Sequence, residues 1–226
     1  MTDSERTEPR IDVIVSQPFA ENSFVARLPG RRDCVVFDPG FEPGKIFTLL
    51  EAESLEPAAV LITHGHADHI GGNRAVKERW PDCPLVIGSG DAEKLTDPAK
   101  NLSSRFGTGF TSPAADVLLE EGDTYAAAGF DFEVLKIPGH SVGHVVYVWK
   151  GGTPWHVFGG DVLFAGSVGR SDFPDGDFDQ LREGIHEKLF TMPNDTMVFP
   201  GHGPATTVGH EKRTNPFVGR PAGFDW

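Results

Sequence analysis

Thr63-His64-Gly65-His66-Ala67-Asp68-His69-Ile70-Gly71-Gly72 places four metal-binding side chains within six positions. An apolar run over residues 58–62 leads into it, and a segment of helical character over 73–80 leads out. The order is therefore strand, ligand-rich loop, helix start. His64 and His66 are two apart on an extended segment, so they face the same way. Asp68 and His69 fall where the chain turns into the helix and project at another angle. One short loop can thus serve two adjacent metal positions. The alternative is a polar turn with incidental histidines. Three of the nine histidines within six residues, beside an aspartate, weigh against it.

Working outward, the chain before this loop reads as strands over 11–15, 22–28 and 34–37, the last ending at Asp38-Pro39-Gly40. Residues 44–53 carry Ile46, Leu49 and Leu50 at helical spacing. After the loop come the 73–80 helix and a strand at 85–87. Asp91 can open a short helix, and residues 98–112 form a polar loop holding Phe106 and Phe110, a candidate wall of a substrate cleft. The second half restarts with strands at 124–127, 131–137, 145–149 and 154–158. A helix over 178–190, a strand at 197–199 and a last helix from Pro204 onward follow. Strands alternating with helices give an α/β class. Residues 1–10 read as a flexible tail and 11–226 as one domain.

Three further strands run into glycine-flanked ligand candidates: Gly139-His140 after Ile137, Gly160-Asp161 after Phe158, and Gly201-His202-Gly203 after Phe199. Glycine lets the backbone turn sharply and approach an ion closely. The candidate set is His64, His66, Asp68, His69, His140, Asp161 and His202. Five imidazoles and two carboxylates without a thiolate suit two divalent ions, zinc first, with iron or manganese accommodated. His144 reads as a hydrogen-bonding partner of a ligand, and Asp38 as a turn or hydrogen-bonding residue. His156, His186 and His210 read as structural or exposed, and Tyr147 as core.

The composition excludes some classes. With 33 acidic and 20 basic residues, the net charge is −13, and a general nucleic-acid binder needs a basic surface. Cys34 and Cys83 are the only cysteines. They form neither a disulfide framework nor a metal knuckle, and they read as small core residues. The polar start of the chain has no secretory signal, and no run approaches the roughly 20 apolar residues of a membrane span. The expectation is a cytoplasmic protein acting on a small molecule, away from membranes. An anionic substrate would need local positive charge. Arg170 is the first candidate for it, Lys212 and Arg213 the second.

His64-Gly-His66-Ala-Asp68-His69, His140, Asp161 and His202, in this order, resemble the metallo-β-lactamase superfamily, and most of all its glyoxalase II type. The resemblance spans the chain from the Val35-to-Gly40 strand to Pro204. It implies an αββα sandwich of two mixed sheets flanked by helices, with the metals at one edge. It implies one ion on His64, His66 and His140, a second on Asp68, His69 and His202, and Asp161 bridging them. The implied activity is hydrolysis of a hydroxyacylglutathione-like thioester by metal-bound hydroxide, with Asp68 orienting the hydroxide or taking its proton. Typical members carry a helical C-terminal extension that helps clamp glutathione. With 24 residues after His202, this chain looks like the compact bacterial form. Asp161, standing where penicillin-destroying members have another residue, argues against a true β-lactamase. The acidic charge argues against the tRNA-processing nucleases. Two alternatives share most of the motif. Gly166-to-Pro174 also resembles the persulfide dioxygenases, which hold one iron, here on His64, His140 and Asp161. Lactonases share most of the ligands.

Overall fold

The computed structural model describes residues 8–107 and 109–225. Two six-stranded sheets carry the architecture. The first contains β1 (Arg10–Ser16), β2 (Glu21–Arg27), β3 (Asp33–Phe37), β4 (Glu56–Ile62), β5 (Leu85–Gly88) and β6 (Val117–Leu119), in that spatial order. β1 to β3 are antiparallel, and β3 to β6 are parallel. The second sheet has β7 (Thr124–Ala127), β8 (Phe130–Lys136), β9 (Val145–Trp149), β10 (His156–Gly160), β13 (Met197–Pro200) and β14 (Thr206–Thr207), ordered β14-β13-β10-β9-β8-β7. A small hairpin, β11 (Leu163–Phe164) with β12 (Ser167–Val168), stands apart.

Side-chain alternation produces the layers. In β3, Val35 and Phe37 point between the sheets, while Cys34 and Val36 point outward. β9 repeats this, with Val145, Tyr147 and Trp149 inside and Val146 and Val148 outside. Both faces of these strands are buried, which is why they read as unbroken apolar runs. Outside the first sheet lie α1 (Pro43–Glu53) and α3 (Asn73–Arg79), burying Ile46, Leu50 and Val76 against Val36, Val60 and Ile62. Outside the second lie α4 (Phe178–Gly184), which continues as a π-turn Ile185–Leu189, and α5 (Val208–Thr214). The result is the expected αββα sandwich.

Aromatic rings join the sheets. Phe37 stacks on Phe158, with centroids 3.8 Å apart and planes within 6°. Phe132 meets Phe37 edge-on at 5.5 Å. The Tyr147 hydroxyl donates to the Ile62 carbonyl at 2.9 Å, so the core tyrosine also bonds β9 to the end of β4. Cys34 and Cys83 are buried free thiols, as expected, and burial pushes Cys34 up to about 12 and Cys83 up to about 11.

Several boundaries differ from the sequence reading. β6, β14 and the β11–β12 hairpin are two or three residues long, too short to show a period. The last helix begins at Val208, capped by the Thr207 hydroxyl, because Pro204 lies in the turn after His202. β10 begins at His156, past Pro154. Of the tail expected over 1–10, residues 1–7 lie outside the described residues, and Arg10 already pairs with Arg27 in β1. Among the described residues, no helix is long and apolar enough to cross a membrane.

Phe37→Ala removes a ring that is 1 % exposed from the centre of the sandwich. A stability loss of about 3–5 kcal/mol is expected in urea unfolding.

Candidate metal centre

Four strand ends meet at one edge of the sandwich. β4 ends in the 63–66 loop, and α2 (Ala67–Ile70) carries Asp68 and His69. β8 leads to His140, β10 to Asp161 and β13 to His202. Hydrogen bonds hold these ends together, both across the two sheets and within the second. Val145 N–H donates to Thr63 O at 2.9 Å, Asn22 N–H to Gly201 O at 2.7 Å, and Gly201 N–H to Gly160 O at 2.9 Å. Two glycines are required by closeness. A Cβ on Gly201 would overlap Asp161 and His69, and one on Gly160, at φ +46°, would overlap Thr63.

All seven expected ligand candidates come together. His64 Nε2, His66 Nδ1 and His140 Nε2 lie 2.9–3.1 Å from one another. A second group is Asp68, His69 and His202, with His202 Nε2 at 3.3 Å and His69 Nε2 at 4.0 Å from Asp68 Oδ2. Asp161 lies between the groups. Its Oδ2 is 3.5 Å from His140 Nε2 and 3.6 Å from His202 Nε2, and its Oδ1 is 3.4 Å from His69 Nε2.

Outer hydrogen bonds fix which nitrogen His64, His69 and His140 turn inward. The Thr63 hydroxyl donates to Asp38 Oδ2 at 2.6 Å, so His64 donates from Nδ1 to Thr63 Oγ1 and keeps a lone pair on Nε2. His140 donates from Nδ1 to Arg170 O at 2.7 Å, and His69 from Nδ1 to Asp38 Oδ2 at 3.0 Å. Asp38 therefore has the hydrogen-bonding role expected for it. It holds φ +43°, a left-handed backbone uncommon outside glycine. His144 also keeps its expected place. Its Nε2 accepts the Asp161 N–H at 3.0 Å and its ring stacks on His64.

Electrostatics separate the two groups. Burial and neighbouring imidazoles hold His64 and His66 well below the ordinary histidine range, and burial lowers His140. That shift favours the neutral imidazole, the form a metal ligand needs. His69 and His202 go the other way: against burial, Asp161 and Asp68 push them up. Asp161 and Asp68 stay below the ordinary carboxylate range despite burial, held there chiefly by His69. Lone pairs converging within 3.1 Å, and buried His69 Nε2 and Asp161 Oδ1 atoms without a hydrogen-bond partner, fit a pair of divalent cations.

A cleft of about 490 Å³ opens over the centre, walled by Phe19, Leu102, Arg105, Phe164, Arg170 and Phe173. The 98–112 loop supplies one wall, as expected, through Leu102 and Arg105. Asn101 anchors it by accepting Ala67 N–H and donating to Phe110 O. The Phe106 side chain lies outside what the structure describes. Arg170 is in the wall but bidentate to Asp172 and 4.7 Å over the Phe173 ring. Lys212 and Arg213 sit on α5 and do not line the cleft, and Lys212 donates to Asn194. The sequence reading missed Arg105, Phe173 and two residues on β2. Glu21 is buried behind His69, and burial raises its carboxyl well above the ordinary range. Asn22 donates to Pro200 O and Gly203 O, gripping the His202 turn. Their only signal is a charged residue just before a strand pattern and an amide at its start.

The chain matches the family model described as "Metallo-beta-lactamase superfamily" over residues 16–202. It is 34% identical to "Hydroxyacylglutathione hydrolase GloC" of Haemophilus influenzae over 215 residues, 92% of this chain and 97% of that protein. Among solved structures, "BLEG-1 B3 metallo-beta-lactamase" aligns with a TM-score of 0.88 at 38% identity, covering 92% of this chain and 99% of that one. "TTHA1623 in a di-iron-bound form" aligns at 0.80 and 38% identity, covering 91% and 99%.

The raised His69 and His202 predict a pH signature. Their protons compete with a cation, so affinity falls as pH falls. An ion held by Asp68, His69 and His202 is expected to leave, as pH is lowered, before one held by His64, His66 and His140. Metal content after dialysis over a series of falling pH values checks this. Loss in the opposite order, judged against His66→Ala and His202→Ala proteins, would contradict it.

Proposed function

The chain belongs to the metallo-beta-lactamase superfamily, and from that premise we propose that it is a binuclear metal-dependent thioester hydrolase of the glyoxalase II type. The observation that carries this reading is the position of Asp161 between the two ligand groups, within 3.6 Å of His140, His69 and His202. A carboxylate so placed offsets the repulsion of two close cations. The thioester class is supported by the name of the H. influenzae relative, a hydroxyacylglutathione hydrolase.

In this reading His64, His66 and His140 hold one ion, Asp68, His69 and His202 the other, and Asp161 both. Zinc suits the donors best, and the di-iron form of a neighbour supports iron as an alternative. Bound divalent ions supply Lewis acidity and a water of lowered pKa. The protein supplies the rest. Asp68, at 20 % side-chain exposure the most open carboxylate of the set, orients the attacking water and takes its proton at Oδ2. Phe19, Phe164 and Phe173 give the cleft apolar walls for the acyl and thiol chains. Arg105 and Arg170 place positive charge at the mouth of an acidic protein, suited to a thiol carrier bearing a carboxylate.

One sample tests the reading. Freshly purified protein is assayed for metal content and for turnover of S-lactoylglutathione, a lactone, a β-lactam and glutathione persulfide with oxygen uptake. Two ions per chain with thioester turnover is the expected result. Two ions without hydrolysis of any acyl-thiol would sink it. One iron per chain, oxygen uptake with the persulfide and a harmless His202→Ala change would identify a dioxygenase instead. β-Lactam turnover exceeding thioester turnover would align the chain with its lactamase neighbour.

Asp161→Ala is expected to lower turnover by roughly two to three orders of magnitude, the scale of losing one charge-stabilising group, with unchanged circular dichroism. Arg170→Ala is expected to raise KM about tenfold for a carboxylate-bearing thioester, the loss of one charged contact. kcat, and all constants for a neutral thioester, should stay close to those of the unaltered protein.

A further inference from the structure

Behind the three-histidine group lies a polar cluster that the chemistry above does not use. Asp91, in the 3-10 turn Ser89–Leu95 after β5, is completely buried. Its Oδ2 accepts Gly65 N–H at 2.8 Å and the Ser141 hydroxyl at 2.5 Å, and its Oδ1 accepts Gly143 N–H at 2.8 Å. Gly65 stands between His64 and His66, and Ser141 follows His140. One carboxylate thus grips both loops that carry the three imidazoles, and those loops come from opposite halves of the sandwich. The approach is close. A Cβ on Gly143 would overlap Asp91, and one on Gly65 would overlap Lys94.

Lys94 completes the cluster. Its ammonium, 5 % exposed as a residue, lies 3.5 Å from Asp91 Oδ1, donates to Ser141 Oγ and bonds Asp175 Oδ2 at 2.6 Å. Asp175 in turn accepts Val142 N–H. Two residues before Asp175, Phe173 packs edge-on against His66 at 5.1 Å and against His140 at 5.5 Å. The cluster therefore reaches the same rings from both sides: Asp91 through their backbone, and Lys94–Asp175 through the loop bearing Phe173.

We propose that Asp91 is a positioning residue for the first metal position. It holds His64, His66 and His140 in register by bonding the two loops to each other, and it does not serve the position of Asp68, His69 and His202. Three ligands from two loops bind an ion well only if the loops are fixed before it arrives, since otherwise binding must also supply the ordering entropy. Asp91→Asn would turn one acceptor into a donor facing either Gly143 N–H or Gly65 N–H, loosening one loop. The inference rests on the ligand assignment above and not on the thioester reading.

The test measures zinc affinity by competition with a chromophoric chelator in two backgrounds of the full chain. His202→Ala leaves the three-histidine position intact, and His66→Ala leaves the other. Asp91→Asn is expected to weaken binding 10- to 100-fold in the His202→Ala background, the usual scale for a residue hydrogen-bonded around a ligand set. In the His66→Ala background it is expected to change binding less than about threefold. A general structural role would weaken both equally, and that result overturns the proposal, as does no change in either. Ser141→Ala, which removes one of the three bonds, is expected to act in the same direction, weakening binding roughly 3- to 10-fold in the His202→Ala background and not in the other. If Asp91→Asn does not fold, an unchanged affinity in Ser141→Ala overturns the proposal and a selective loss upholds it. If His66→Ala itself loses no ion, the ligand assignment fails and the Asp91 proposal falls with it.

Discussion

Asp38 accepts three hydrogen bonds from two elements: Thr63 N–H at 2.7 Å, the Thr63 hydroxyl at 2.6 Å and His69 Nδ1 at 3.0 Å. Those bonds set the direction of the Thr63 hydroxyl, and through it the tautomer of His64. They also turn His69 Nε2 inward. Asp38 follows directly on β3, where the antiparallel and parallel parts of the first sheet meet, and is itself 2 % exposed. A carboxylate so buried is tolerated only when its oxygens are engaged. The need to satisfy Asp38 and the need to aim the imidazoles are met by the same bonds.

The wider centre obeys the same constraint. Neutral imidazoles and ionised carboxylates are buried side by side, and several of their atoms lack hydrogen-bond partners. Such an arrangement is unfavourable in a low-dielectric interior unless cations complete it. The split between lowered His64, His66 and His140 and raised His69 and His202 follows from where the carboxylates lie. Asp161 and Asp68 face the second pair, while burial among other imidazoles dominates the first set. The two ligand groups therefore differ in how strongly protons would compete with a cation, although they are adjacent.

Much of the centre was legible as residues. The 63–72 stretch identified itself by crowding. His140, Asp161 and His202 stood out because each follows an apolar run through a glycine. The fold class followed from alternating strand and helix patterns. Other features were not legible, for physical reasons. β6, β14 and the β11–β12 hairpin are too short for a period to show. Asp91 reads in sequence as the first turn of a short helix, and nothing local says that its carboxylate reaches Gly143, 52 positions away. Arg105 sits in a polar loop where any cation reads as solvated. Arg170 was found by its closeness to Asp161, but its pairing with Asp172 and Phe173 was not.

The sequence by itself determined which side chains can bind metal and that they sit at strand ends. Those are local properties, set by side-chain chemistry, period and glycine placement. Only the tertiary structure decided the grouping: His140 with His64 and His66, His202 with Asp68 and His69, and Asp161 between them. That grouping depends on how two sheets register across the Phe37–Phe158 stack and on long-range bonds such as Asn22 to Gly201 and Asp91 to Gly143. A distance of 3.3 Å between Asp68 and His202, far apart in the chain, is a property of packing.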